Sequence, residues 1–132
     1  MSVTITVDHT QRRVLVRCTG VVTYADVERH VQIEERDGGI TYSGLIDFRG
    51  CETSMSVDQV RSLAHRIHSQ RSHRNRGPAA IVADHDVMYG MARLFVTLSD
   101  VTGDSIGPPI EVFRDIDDAA QWLSAYEPAT GE

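Results

Sequence analysis

Near the amino end, apolar residues alternate with polar ones: Val3, Ile5 and Val7 first, then Val14, Val16 and Cys18 between Arg13, Leu15 and Arg17. A period of two marks strands with one face turned inward. The pattern predicts two half-buried strands joined as a hairpin across residues 8–12. Thr23, followed three residues on by Asp26, is a capping box. Ala25, Val27, His30 and Val31 then recur at helical spacing until Gly38-Gly39 stops the helix.

Gly44-Leu-Ile-Asp-Phe-Arg49 is a short apolar run between glycines, which suits a strand buried on both faces in a parallel sheet. A turn is expected at Gly50. Ser56 and Gln59 form a second capping box, after which Val57, Val60, Leu63, Ala64 and Ile67 line one helical face. Arg61, His65, Arg66 and His68 line the other, and this helix should end near Ser72.

Ala79-Ala-Ile-Val-Ala83 reads as another buried strand. Asp84 or Asp86 can cap the helix that follows, with Val87, Met88, Met91, Leu94, Phe95 and Leu98 inward and Gly90 allowing close packing. After a Gly/Pro-rich loop over residues 103–109, Ile110 to Arg114 is the last strand. Asp115, Asp117 and Asp118 favour the positive end of a closing helix carrying Ala119, Trp122 and Leu123.

Strands alternating with helices imply right-handed crossovers and a helix-covered sheet. The predicted fold is α/β: a single mixed, mostly parallel five-stranded sheet with an N-terminal β-hairpin and about four helices, in the order β-β-α-β-α-β-α-β-α. Residues 1–126 form one domain and residues 127–132 a C-terminal tail. The core is predicted from Val14, Val16, Ile46, Phe48, Leu63, Ile67, Ile81, Val82, Leu94, Phe95, Val112 and Trp122.

Composition narrows the function classes. The chain has 132 residues, 41% hydrophobic and 24% charged, so one folded core is expected and disorder is not. The longest apolar stretches fall far short of the roughly 20 residues that span a bilayer, and the amino end has no basic and apolar leader, so a cytoplasmic location is expected. Cys18 and Cys51 form neither a CxxC pair nor a zinc knuckle, and reduced thiols are the default. A net charge of −6 argues against general nucleic-acid binding. Between Gln59 and Ala83, however, stand five arginines and no acid.

Candidate chemistry is sparse. Cys51, just past a strand end, occupies the edge where α/β sheets present ligands, and a thiolate there is a nucleophile. Against that, no histidine adjoins it and Glu52 should raise its pKa. Asp84-His85-Asp86 has the composition of a metal or general-base site, yet three sequence neighbours cannot all point one way, and helix capping accounts for them. His65, His68 and His73 are spaced for a surface metal site, although solvated histidines on a basic face explain them as well. The basic stretch from His65 to Arg76 lacks the interleaved aromatics of a nucleic-acid module. Arg93 should be partly exposed, or paired with an acid of the last helix.

Five segments carry a resemblance: Gly20-Val-Val-Thr-Tyr-Ala-Asp26, Leu45-Ile-Asp-Phe-Arg-Gly50, Ala80-Ile-Val-Ala83, Tyr89-Gly-Met-Ala-Arg-Leu-Phe95, and Val112-Phe-Arg-Asp115 with Ala119-Ala-Gln-Trp-Leu123. Together they resemble the SpoIIAA-like group of small bacterial proteins, related to STAS and Sec14-type folds. The resemblance implies the fold above. Its anti-sigma-factor antagonist branch carries a phosphorylated serine in an Asp-Ser-Gly type motif. Here that region reads Gly50-Cys-Glu-Thr-Ser-Met-Ser56, with Ser54 and Ser56 but without the motif. Sec14-type relatives imply instead an apolar ligand between helix and sheet.

The functional reading is a non-enzymatic, STAS-like regulatory or binding domain for a protein partner or a small apolar or anionic ligand, a second copy of the chain being one candidate partner. Arg49, Ser56, Asp84, Tyr89, Arg93 and Arg114 are the ligand-binding candidates, and Arg66, Arg71, Arg74 and Arg76 a partner patch. No catalytic residue, metal or cofactor is assigned. The alternative is a small enzyme or phosphate-binding domain using Arg49, Asp84 and Arg114 at the C-terminal edge of the sheet.

Overall fold

The computed structural model describes residues 2–37, 42–71, 77–102 and 110–126. The Gly38-Gly39 stop, Ser72, the loop 103–109 and the tail 127–132 lie outside them, as do the side chains of Val31 and Ile67. Along the chain come β1 (Ser2–Asp8), β2 (Arg13–Thr19), β3 (Val21–Val22), α1 (Tyr24–Asp37), β4 (Ser43–Asp47) and β5 (Glu52–Thr53). They are followed by α2 (Val57–Arg71), β6 (Ala79–Val82), α3 (Asp86–Thr102), β7 (Ile110–Phe113) and α4 (Ile116–Tyr126).

Local chemistry sets the boundaries. Asp8 Oδ1 accepts the amides of Thr10 and Gln11, folding the hairpin turn, and Arg12 closes it at a φ of 55°. At the head of α1 the Asp26 amide donates to Thr23 Oγ1 while the Thr23 hydroxyl donates to Asp26 Oδ2, the expected capping box. At the head of α2 the Gln59 amide donates to Ser56 Oγ and the Ser56 amide donates to Gln59 Oε1. Asp115 Oδ1 takes the amides of Asp117 and Asp118, covering donors that the first turn of α4 leaves unpaired.

The main sheet has the order β1-β2-β4-β6-β7, with β1 antiparallel to β2 and the other neighbours parallel. It is the mixed, mostly parallel sheet predicted. Each crossover through α1, α2 and α3 steps the same way across the sheet, and crossovers of one hand stepping one way lay their helices on one face. On that face Val14, Val16 and Cys18 meet Val60 of α2 and Leu94 and Phe95 of α3, and Ile81 and Val112 meet Ala92 and Val96. With no strand after it, α4 folds back onto the other face, where Ala119 and Leu123 bury Leu45, Ala80 and Val82. The larger fully buried side chains there, Val82 and Leu123, contribute about 1.5–3 kcal/mol each.

Several expectations are corrected. Residues Val21–Val22 and Glu52–Thr53 form a small parallel sheet of their own, unforeseen because two residues are too few to show a period. Val3, Ile5 and Val7 are exposed, since β1 lies at the sheet margin. Val57 and Val87, in the first turns of α2 and α3, are exposed, while Ala92 and Val96 take the inward positions on α3. Gly90 is not a close contact: a Cβ there would meet nothing within 4 Å. Of the predicted core, Ile46, Phe48, Leu94, Phe95 and Trp122 are half-buried, whereas small residues such as Ala80, Ala83 and Ala119 are fully enclosed.

Candidate functional site

The C-terminal ends of the parallel strands bring together residues distant in sequence. Strand β4 carries Asp47 as its last residue, in a run otherwise apolar, and the residue is only 6% exposed. A carboxylate so placed needs partners. Arg49 supplies a bidentate pair, Nε to Oδ1 at 3.0 Å and Nη2 to Oδ2 at 2.8 Å, and its amide donates to Oδ1 as well. Arg17, the register partner of Asp47 on β2, adds Nη1 at 3.2 Å and donates also to the Arg49 carbonyl. Burial pushes the Asp47 carboxyl upward, but the Arg49 hydrogen bonds and the two guanidinium charges outweigh it and hold the group below the usual carboxylate range. The same pair raises Arg49 further.

Gly50, at a φ of 77°, makes the turn that follows. Its amide donates to Asp84 Oδ1 at 2.9 Å, which is the first cause of a lowered Asp84 pKa. Arg114, just beyond β7, completes the edge. It donates to the Asp84 carbonyl at 3.4 Å, pairs with Asp86 at 2.9 Å and lies 4.2 Å above the centroid of the Tyr89 ring. Thus Arg49, Asp84, Tyr89 and Arg114 share one edge. Asp84 bonds across that edge and Asp86 stands in the first turn of α3, so the triplet joins two strand ends as well as opening a helix. His85 is exposed.

The remaining candidates fall elsewhere. Ser56 is occupied as the cap of α2. Arg93 is half exposed and pairs at 3.5 Å with Glu111 of β7, not with an acid of the last helix. Arg66 leans on Glu28 of α1 at 3.6 Å, tying two helices together. The Arg71 side chain, Arg74 and Arg76 lie outside the described residues, as do His73 and the His68 side chain.

Cys51 is fully buried, and its Sγ donates to the Cys18 carbonyl at 3.0 Å. Burial pushes its pKa up, helped by Asp47 and Asp84; Glu52, which was expected to do this, is exposed on β5. Cys18 is pushed up to about 12, by burial first and then by nearby Cys51. Neither thiol is poised as a nucleophile. Among the described residues, no three His, Cys, Asp or Glu side chains gather as metal ligands would, and no helix is long and apolar enough to cross a membrane.

Comparison with known structures places this architecture. An uncharacterised protein of the DUF3478 family from Shewanella loihica PV-4, solved by crystallography and described as having a SpoIIAA-like fold, superposes with a TM-score of 0.53. The match covers 92% of each chain at 18% identity. The fold is SpoIIAA-like. No family model matches the sequence, and no curated protein is significantly similar to it. At that identity the likeness concerns the backbone, and the function of this SpoIIAA-like domain has to be argued from its own side chains.

Two of those side chains, Arg17 and Asp47, were not among the residues singled out from sequence. A signal for Asp47 was present: one acid inside the apolar run Leu45-Ile-Asp-Phe48. Arg17 had none, since an arginine on the alternate face of a strand is ordinary until the register sets it beside an acid.

Proposed function

We propose that this SpoIIAA-like domain is a non-enzymatic protein-binding module whose contact surface is the C-terminal sheet edge. The observation that carries the reading is the state of three arginines. Arg17, Arg49 and Arg114 are each held by carboxylates, and Arg114 by an aromatic ring as well, yet their side chains are 46%, 41% and 50% exposed. Guanidiniums fixed in place but open to solvent lose little entropy on docking, and Arg and Tyr are the residue types that anchor protein interfaces. A partner segment bearing a carboxylate suits them.

Chemistry at the same edge has less support. Asp84 and Asp86 are engaged, both thiols are held protonated, and an activated acid, base or nucleophile is not among the described groups. The enzymatic reading through Arg49, Asp84 and Arg114 therefore ranks second. Free thiols accord with the cytoplasmic location proposed for the chain. A phosphorylation switch at Ser56 would have to displace an intact capping box.

The test is capture from cell extract with wild-type protein and with Arg49→Gln/Arg114→Gln, followed by binding measurement on the purified partner. A partner that the wild type retains and the variant binds about ten-fold more weakly, at a temperature where circular dichroism shows both proteins folded despite the lost Arg49–Asp47 pair, supports the reading. Equal recovery and equal affinity would remove the edge as the contact surface.

A further inference from the structure

Strand β1 stands at the end of the five-stranded sheet, so one edge of its backbone is not used by β2. Such edges are usually guarded by a charge, a proline or a bulge in mid-strand. Here the register with β2 is unbroken over all seven residues, and the interior reads Val3-Thr-Ile-Thr-Val7 with no charge and no proline. Its three large side chains stay out of the core, Val3 at 37%, Ile5 at 39% and Val7 at 43% exposed.

The run is also a palindrome. In an antiparallel pair centred on Ile5, Val3 faces the partner's Val7, Thr4 faces the partner's Thr6, and Ile5 faces the partner's Ile5. Directly opposed residues point to the same face, so the apolar stripe meets its own copy on one side and the threonines meet on the other. Asp8, the strand's one charge, stands opposite the partner's Ser2, and like charges do not oppose. A slip of one residue would set Val3 against Thr6 and Val7 against Ser2, or Val7 against Thr4 and Val3 against Asp8, and mix the faces; a slip of two keeps the faces but shortens the overlap, so the register centred on Ile5 pairs the most residues. A heterologous peptide would gain the same backbone bonds but has no reason to match the palindrome.

We infer that β1 pairs with β1 of a second copy of this chain, an isologous contact that extends the two five-stranded sheets into one of ten strands. The seven-residue strands overlap over about 24 Å. The interface is therefore at the small end for protein pairs and the dimer is expected to exchange in the micromolar range. It lies on β1, apart from the arginine edge, and stands or falls independently of it.

Sedimentation velocity of the full chain over a micromolar dilution series tests the pairing. The wild type should pass from dimer to monomer, and Ile5→Lys, which sets two like charges face to face, should weaken the dimer at least ten-fold while keeping the circular dichroism spectrum. The register has its own check. Val3→Lys/Val7→Lys should be monomeric, whereas Val3→Lys/Val7→Glu, which opposes unlike charges at both ends, should dimerise. A wild type that stays monomeric throughout, a dimer indifferent to Ile5→Lys, or equal behaviour of the two double variants would overturn the inference.

Discussion

Replacing Gly90 and Gly77 by alanine is the same chemical change at two places, and the structure gives it opposite signs. Gly90 lies inside α3 on the solvent side, and an added Cβ meets nothing within 4 Å. Alanine there restricts the unfolded chain and favours the helix by about 1 kcal/mol. Unfolding entropy of about 2.1 cal/mol/K per residue gives ~0.28 kcal/mol/K for a chain of this length, so Tm should rise by about 3–4 °C. Gly77 precedes β6 where the chain runs against the start of β4. A Cβ there would stand 2.5 Å from the Tyr42 carbonyl oxygen, 2.7 Å from its carbon and 2.9 Å from the Ser43 nitrogen. All three are backbone atoms, and the Gly44 amide beside them bonds to the Pro78 carbonyl, so relief requires parting β4 from β6. The overlap should cost about 1–3 kcal/mol, as overpacking of a filled core does. Its φ is not left-handed, so the cost is contact and not backbone strain. Thermal and urea unfolding followed by circular dichroism read both variants. A Gly77→Ala protein as stable as wild type, or a Gly90→Ala protein destabilised, would refute this account of the two sites.

Asp47→Asn should destabilise the fold near neutral pH by about 1–2 kcal/mol, the range for charged hydrogen bonds discounted for two half-exposed arginines. Because the folded Asp47 pKa is lowered, its contribution is complete above the unfolded value near pH 4 and disappears as pH falls through the folded value. Wild type and variant should therefore converge in acid, and a gap that stays constant or widens between pH 7 and pH 3 would sink the reasoning. Cys18 and Cys51 should react slowly or not at all with a thiol reagent in the folded protein, then titrate as two free thiols on unfolding without reductant. Rapid reaction of either in the native state contradicts their burial.

Much of the architecture was legible because it depends on local pattern. The period-two alternation of Val14, Val16 and Cys18 places a strand whatever its neighbours, and the boxes at Thr23–Asp26 and Ser56–Gln59 set helix starts through contacts three residues apart. The apolar runs around Ile46 and Ile81 announce strands covered on both sides. Burial at single positions was less legible, because Val3, Ile5 and Val7 carry the same alternation as β2 and are exposed only through their place in the strand order.

The candidate site shows the same division. Sequence by itself pointed to Arg49, Asp84 and Arg114 at strand ends, since each follows an apolar run that reads as a strand, whereas Tyr89 lies within α3 and reaches the same edge only through the fold. Only the tertiary structure decided what these residues do. Register on β2 and β4 set Arg17 beside Asp47, the turn at Gly50 aimed an amide at Asp84, and the helix arrangement sent Arg93 to Glu111 and Arg66 to Glu28. Element formation is governed by neighbours within a few residues, whereas the fate of a charge is governed by whichever opposite charge the fold brings within about 4 Å, where their attraction outweighs that of any group left in solvent.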